Sequence, residues 1–124
     1  MDMFKITTEV RALLLDNPNI VSLIEDKIFP VIAPESTEGD FITYQRDGYK
    51  QVYTKYGVAD QIPYVNVVAV SDDYNRNQEL AVLIYDTLSG DFRNPDMHIQ
   101  LEDSTEDFID GKFIQILQFS IQQK

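Results

Sequence analysis

The passage Tyr64-Val-Asn-Val-Val-Ala-Val-Ser-Asp-Asp-Tyr74, continuing through Asn75-Arg-Asn-Gln-Glu-Leu80 to Leu88, reads as a strand, a break and a helix. Val65, Val67 and Ala69 alternate with Asn66, Val68 and Val70, so apolar side chains stand on both faces. That pattern belongs to a strand in the middle of a sheet. Ser71-Asp72-Asp73 interrupts it with short polar side chains that can accept hydrogen bonds from the first free amides of a helix. The helix is predicted over about Asn75 to Leu88, with Leu80, Ala81, Ile84 and Leu88 as its buried stripe and Gly90 as its stop.

Toward the N-terminus, Ile6, Val10, Leu13 and Leu14 recur at i, i+4, i+7 and i+8, the spacing of one helical face. Asn17-Pro18 ends that helix and starts a short second one, with Asn17 as N-cap and Pro18 in the first turn. Ile20, Leu23 and Ile24 are its expected buried face. Ile28 to Ile32 is apolar, but Pro30 and Pro34 allow only edge structure there. After the polar loop from Pro34 to Asp40, Phe41 to Arg46 reads as a strand. Asp47-Gly48 predicts a hairpin turn, because a tight turn needs positive φ and glycine adopts it freely. Tyr49 to Tyr56, closed by Gly57, is then the return strand.

Past the central helix, a turn at Asn94-Pro95 leads to Met97, Ile99 and Leu101 alternating with polar neighbours. Phe113, Leu117, Phe119 and Ile121 line one face of a last strand, and Asp110-Gly111 helps the chain turn before it. The expected order is helix, short helix, three-strand meander, helix and two strands. The fold class is α+β, an antiparallel sheet of about four to five strands with two main helices and one short helix packed on it. With no internal repeat or linker, residues 1–124 form one expected domain, a length that supports its own hydrophobic core.

Composition narrows the function classes. Hydrophobic residues make up 44% and aromatics 11%, as in a globular rather than a disordered chain. With no cysteine, disulfides and thiolate chemistry are excluded. Met1-Asp-Met-Phe-Lys5 lacks a signal-peptide pattern and no apolar run is long enough to span a bilayer, so a soluble, intracellular protein is expected. The formal charge of −11, from 21 acidic and 10 basic residues, repels phosphate backbones. Solubility alone accounts for such a charge; the sharper readings are a DNA mimic, or a surface that faces DNA without holding it.

Little in the sequence points to catalysis. His98 is the single histidine and stands on the polar side of its strand. No G-x-S-x-G elbow, phosphate-cradling glycine loop or H-E-x-x-H pair is present. Asp73-Tyr-Asn-Arg-Asn77 opens like a calcium loop, but Gln78 and Ile84 stand where the glycine and the bidentate glutamate belong. Helix capping accounts for it. Glu102, Asp103, Glu106 and Asp107 could hold magnesium or share acid–base work, yet a solvated acidic loop with no cleft explains them as well. Neither an enzyme nor a cofactor is expected.

Tyr44, Tyr49, Tyr53, Tyr56 and Tyr64 place five of the seven tyrosines in one stretch, with Arg46, Lys50 and Lys55 among them. Tyrosine and arginine bury area while keeping a polar handle, as subunit interfaces require. Tyr44, Arg46, Tyr49, Lys50, Tyr53, Lys55 and Tyr56 are therefore the candidate interface. Ordinary sheet surface and single-stranded nucleic acid are the competing readings.

Ile20-Val-Ser-Leu-Ile-Glu-Asp-Lys-Ile-Phe-Pro-Val-Ile-Ala-Pro34 and the strand Phe41-Ile-Thr-Tyr-Gln-Arg46 resemble the opening of the DUF3168 phage tail-completion, or tail terminator-like, proteins. Tyr64 to Tyr74 with the helix to Leu88 resembles that family's core. The ending Glu106 to Ile121 is similar to variants from prophage-type elements of gut Bacteroidales. The resemblance runs over about Val10 to Ile121 and departs at Gly39-Asp40, where the family commonly has a proline.

The resemblance implies a structural, non-catalytic subunit of a phage or prophage tail. Such subunits form a ring, commonly hexameric, at the head-proximal end, stop the tail tube and join it to the head. Expected partners are copies of the chain, a tail-tube protein and a head-connector protein, with no specific nucleic-acid binding and no membrane. The expected location is the host bacterial cytoplasm during assembly and then the virion tail. Glu102, Asp103, Glu106, Asp107 and Asp110 are the candidates to face the bore. The rival reading is an acidic DNA-mimic inhibitor of a nuclease or DNA-binding protein.

Overall fold

The computed structural model of the protein describes residues 3–93 and 95–123. A 3-10 turn at Met3–Lys5 runs into helix α1 (Ile6–Leu15), followed by α2 (Pro18–Ile24). Strands β1 (Ile28–Pro30), β2 (Phe41–Thr54) and β3 (Gly57–Ser71) precede α3 (Tyr74–Leu88); β4 (Gly90–Phe92), β5 (Met97–Ile109) and β6 (Lys112–Gln123) complete the chain. The six strands form one sheet in the order β1-β2-β3-β6-β5-β4. The class is α+β as expected, but the sheet is larger than expected and is mixed, because β1 pairs parallel with β2. Pro30 sits at the end of that short edge strand, where a missing amide costs no ladder bond.

The expected turn at Asp47-Gly48 is absent. β2 runs through it, and two residues there face one on β3, between the pairs Arg46↔Val65 and Tyr49↔Pro63. Gly48 alone takes a positive φ, +107°, which makes a bulge; a two-residue turn of this kind needs both central residues positive. The chain reverses instead at Lys55-Tyr56, with Gly57 at φ +117°. A long two-stranded hairpin thus replaces the three-strand meander. Beyond Tyr64↔Ser120, the last β3–β6 pair, residues 47–63 continue as an arm.

The stretch from Glu102 to Ile109, expected as a loop, is strand. It pairs with β6 down to Ile109↔Lys112. Asp110 and Gly111 close that hairpin with φ of +52° and +78°, so the second Asp-Gly pair makes the turn that the first does not. β4 covers β5 only at residues 97–99, which leaves the acidic half of β5 as an open edge.

The helices pack on one face of the sheet. Ile6, Val10 and Leu14 of α1, Ile20 and Ile24 of α2, and Leu80, Ile84 and Leu88 of α3 are fully buried. They meet Val65, Val67, Ala69, Met97, Ile99, Leu117, Phe119 and Ile121 in one core. Leu23, expected in the buried face of α2, is exposed instead, since that seven-residue helix presents only Ile20 and Ile24 inward. The Asn17 side chain accepts from the Asn19 amide at 2.9 Å and donates to Thr87 Oγ1 at 2.6 Å, fixing the start of α2 against the end of α3. Asp73 caps α3, accepting from the amides of Asn75 and Arg76. This is the capping role its sequence context implied.

Candidate functional site

The tyrosine-rich stretch divides into two environments. Tyr44 lies before the bulge and points into the core with 8% exposure, so it is a packing residue here and not a surface one. Arg46 is half-buried, with its guanidinium 4.6 Å from the centre of the Phe4 ring of the same chain. Past the bulge the arm leaves the core. Lys50, Tyr53, Lys55 and Tyr56 are exposed, Tyr53 at 68% and Tyr56 at 87%. The Lys55 ammonium lies 5.1 Å from the Tyr56 ring centre. The side chain of Tyr49 falls outside the described residues, although its backbone pairs with Pro63. Residues 48–59 carry two lysines and no carboxylate.

At the opposite end of the sheet the β5–β6 hairpin carries the acidic residues, and strand geometry sorts them. Pairing shifts by one residue between Leu101 and Asp103, so Glu102 occupies a bulge. Glu102 accepts from Ser120 Oγ at 2.6 Å, on the sheet face away from the helices. Asp103 and Asp107 alternate with Ser104 and Glu106 and share that open face. Each folds back onto the following amide, Ser104 at 2.9 Å and Phe108 at 2.7 Å. Two donors of the open edge are thereby occupied, as edges protected from strand addition require.

Glu106 points the other way, toward α3. Its carboxylate accepts from Tyr74 Oη at 3.0 and 3.2 Å and from Gln115 Nε2 at 2.7 Å. The hydrogen bond to this carboxylate, with burial and the negative charge itself, holds the Tyr74 phenol above its ordinary pKa. Tyr74 and Phe113 rings lie 5.4 Å apart, and Phe108 and Phe113 rings 4.8 Å apart, both tilted. Together with Asn77 and Asp107 these residues line a cleft of about 210 Å³. Sequence reasoning did not assemble this cleft. Asn77 lies three and seven positions before Leu80 and Ile84, so the apolar stripe itself turns it toward the sheet.

Other polar groups are tied within the chain. Arg76 donates to the nearly buried Asp40 at 3.0 Å and approaches Asp73 at 3.6 Å. Lys112, beside the β5–β6 turn, pairs with Asp72 just past the end of β3. His98, on the exposed side of β5, lies 3.0 Å from Asp91. Among the described residues no group of three or more His, Asp or Glu side chains is placed to hold a metal ion.

No family model matches the chain, so its likeness to the DUF3168 proteins stays a resemblance of residues. The curated proteins likewise contain no match. In structure the chain is similar to a chain from the virion of a native gene transfer agent particle, with a TM-score of 0.75. The two are 10% identical, and the match covers 93% of this chain and 92% of that one. At that identity the likeness establishes a shared fold.

Proposed function

We propose that this chain is a structural subunit of a phage or phage-like virion, which forms a ring at the head-proximal end of the tail, ends the tail tube and joins it to the head. The observation that carries the reading is the near-complete fold likeness to a chain of a gene transfer agent virion. The residue patterns resembling tail-completion proteins support that position within the particle. Partners on this reading are further copies of the chain, a tail-tube protein and a head-connector protein. Assembly takes place in the host cytoplasm, and the product is carried in the virion tail. The subunit does no chemistry, so no hydrolytic, nuclease or metal-dependent turnover is expected.

Charge placement supports a ring. The exposed arm lysines, Lys50 and Lys55, stand at one end of the sheet and a carboxylate-rich edge at the other. Glu102, Asp103 and Asp107 on the open face are the bore-facing candidates, whereas Glu106 turns toward α3 and away from them.

The test is particle mass in solution as a function of protein concentration, for the wild type and for Lys50→Glu with Lys55→Glu. The wild type is expected to form a closed multiple of the 14.3 kDa chain, and the double variant to stay a folded monomer. A wild-type monomer at every concentration contradicts the ring.

A further inference from the structure

The aromatic cleft between α3 and the β5–β6 hairpin lacks a partner that its chemistry requires. The Asn77 side chain is fully buried. Its Nδ2 donates to the Ala69 carbonyl at 2.9 Å, which fixes the amide orientation. Oδ1 is left buried with no hydrogen-bond partner. A buried acceptor without a donor is costly, so such a group calls for a partner. Beside it stands Glu106, whose two bonds come from neutral donors, Tyr74 and Gln115. The nearby cations Lys112 and Arg76 are engaged by Asp72, Asp40 and Asp73. Phe108, 58% exposed, and Tyr74 give the cleft aromatic rims. A carboxylate, a waiting acceptor and aromatic faces together suit an ammonium group on an apolar stem.

Within the chain, the matching group is at the far end of the sheet. Lys55 stands exposed at the arm tip between Tyr53 and Tyr56. From Gly57 to Ser71 the extended β3 covers roughly 45 Å at about 3.3 Å per residue, so the arm cannot reach the cleft of its own copy. It can reach that of another. We infer that Lys55 of one copy inserts into the Tyr74–Glu106–Phe108 cleft of the next, with Tyr53 and Tyr56 packing on Phe108 and Ile109. The occupant is thus a second copy of this chain. Because the carboxylates of Asp103 and Asp107 occupy edge amides, the contact uses side chains and not strand addition. Joining opposite ends makes a head-to-tail interface, the kind that closes into a ring. The inference rests on the ring reading and names its contact.

Two variants separate the halves of the contact. Tyr53→Ser, Lys55→Ser, Tyr56→Ser disables the arm and leaves the cleft intact. Glu106→Lys, Asp107→Lys disables the cleft and leaves the arm intact. Each alone is expected to stay monomeric, with circular dichroism reporting a folded chain. Mixed in equal amounts they retain one productive contact, so the expected product is a two-chain particle of twice 14.3 kDa that grows no further. If Glu106→Lys disturbs folding, Glu106→Gln with Phe108→Ser serves as the cleft variant, since the amide oxygen can still accept from Tyr74 and Gln115 while the charge and one aromatic rim are lost. A mixture that stays monomeric, or a variant that assembles like the wild type, overturns the arm–cleft contact. The wild-type mass distinguishes the two failures. A wild-type ring alongside unaffected variants removes only this contact, and a wild-type monomer removes the ring with it.

Discussion

At the scale of single residues, the two Asp-Gly pairs reach different ends. Asp110 and Gly111 both take positive φ and form a turn, whereas only Gly48 does so in the first pair and the strand merely bulges. The dipeptide signals a place where the backbone can depart from the strand; the partner strand decides how. Beyond Asp47 the chain keeps pairing with β3 until Lys55-Tyr56, which gains ladder bonds that an early turn would lose. Gly111→Ala is expected to destabilise the fold by about 1–2 kcal/mol, because the cost lies in left-handed backbone where no neighbour crowds the added methyl. Equal denaturation midpoints for variant and wild type would contradict the assigned turn. Tyr74 supplies a second residue-level outcome. Below the ordinary phenol pKa it is protonated whether folded or unfolded, and its bond to Glu106 is intact. As pH rises through the raised folded value, a phenolate faces a carboxylate and that stabilisation is lost. Phenolate absorbance against pH should show one tyrosine titrating above the ordinary value, and Glu106→Gln should bring it down. A profile unchanged by Glu106→Gln would contradict the pairing.

For whole elements, periodicity read the apolar ones well and the polar ones poorly. α1, α2, α3 and the cores of β3 and β6 were legible because their buried faces repeat at helical or strand spacing. The outer half of β2 reads as strand, although the turn expected at Asp47-Gly48 is only a bulge. The outer half of β5 is not legible, since it pairs on one side and lies outside the buried core, where its Glu and Asp side chains look like loop. Pro30 limits β1 to edge structure, and edge is where it lies, although nothing in its three residues signals the parallel pairing. The arm lysines were visible in composition, but the cleft that complements them was not, because Tyr74, Asn77, Glu106 and Phe113 come from three separate elements. Register makes a direct prediction. Leu117 and Ile84 are buried, and Leu117→Ala or Ile84→Ala should each cost about 2–5 kcal/mol. Ser120, one position off the buried face, holds an exposed bond to Glu102, and Ser120→Ala should cost well under about 1 kcal/mol. Equal costs at Leu117 and Ser120 in chemical denaturation would contradict the register of β6.

On the scale of the whole molecule, an acidic chain keeps its exposed arm lysines away from its acidic edge. Six copies in a ring would carry −66, from 6 × −11, and DNA must pass the centre of a head–tail junction. Lysines lining that passage would hold phosphates and release counterions at each contact, slowing transit. At physiological salt the screening length is about 8 Å, so only charges at the bore wall act on the strand. Lysines buried in subunit contacts with Glu102, Asp103 and Asp107 on the wall avoid the problem. The assembled protein should therefore show no tight binding to duplex DNA at low salt in a filter or anisotropy assay; tight binding would contradict an acidic or neutral bore. The most direct measurement is electron microscopy of the intact particle at a resolution that traces this fold. The account predicts a closed ring of copies at the head-proximal end of the tail, with the arm of each copy seated on the β5–β6 hairpin of the next. Particles that lack the chain, or carry it in single copies away from that junction, would contradict it.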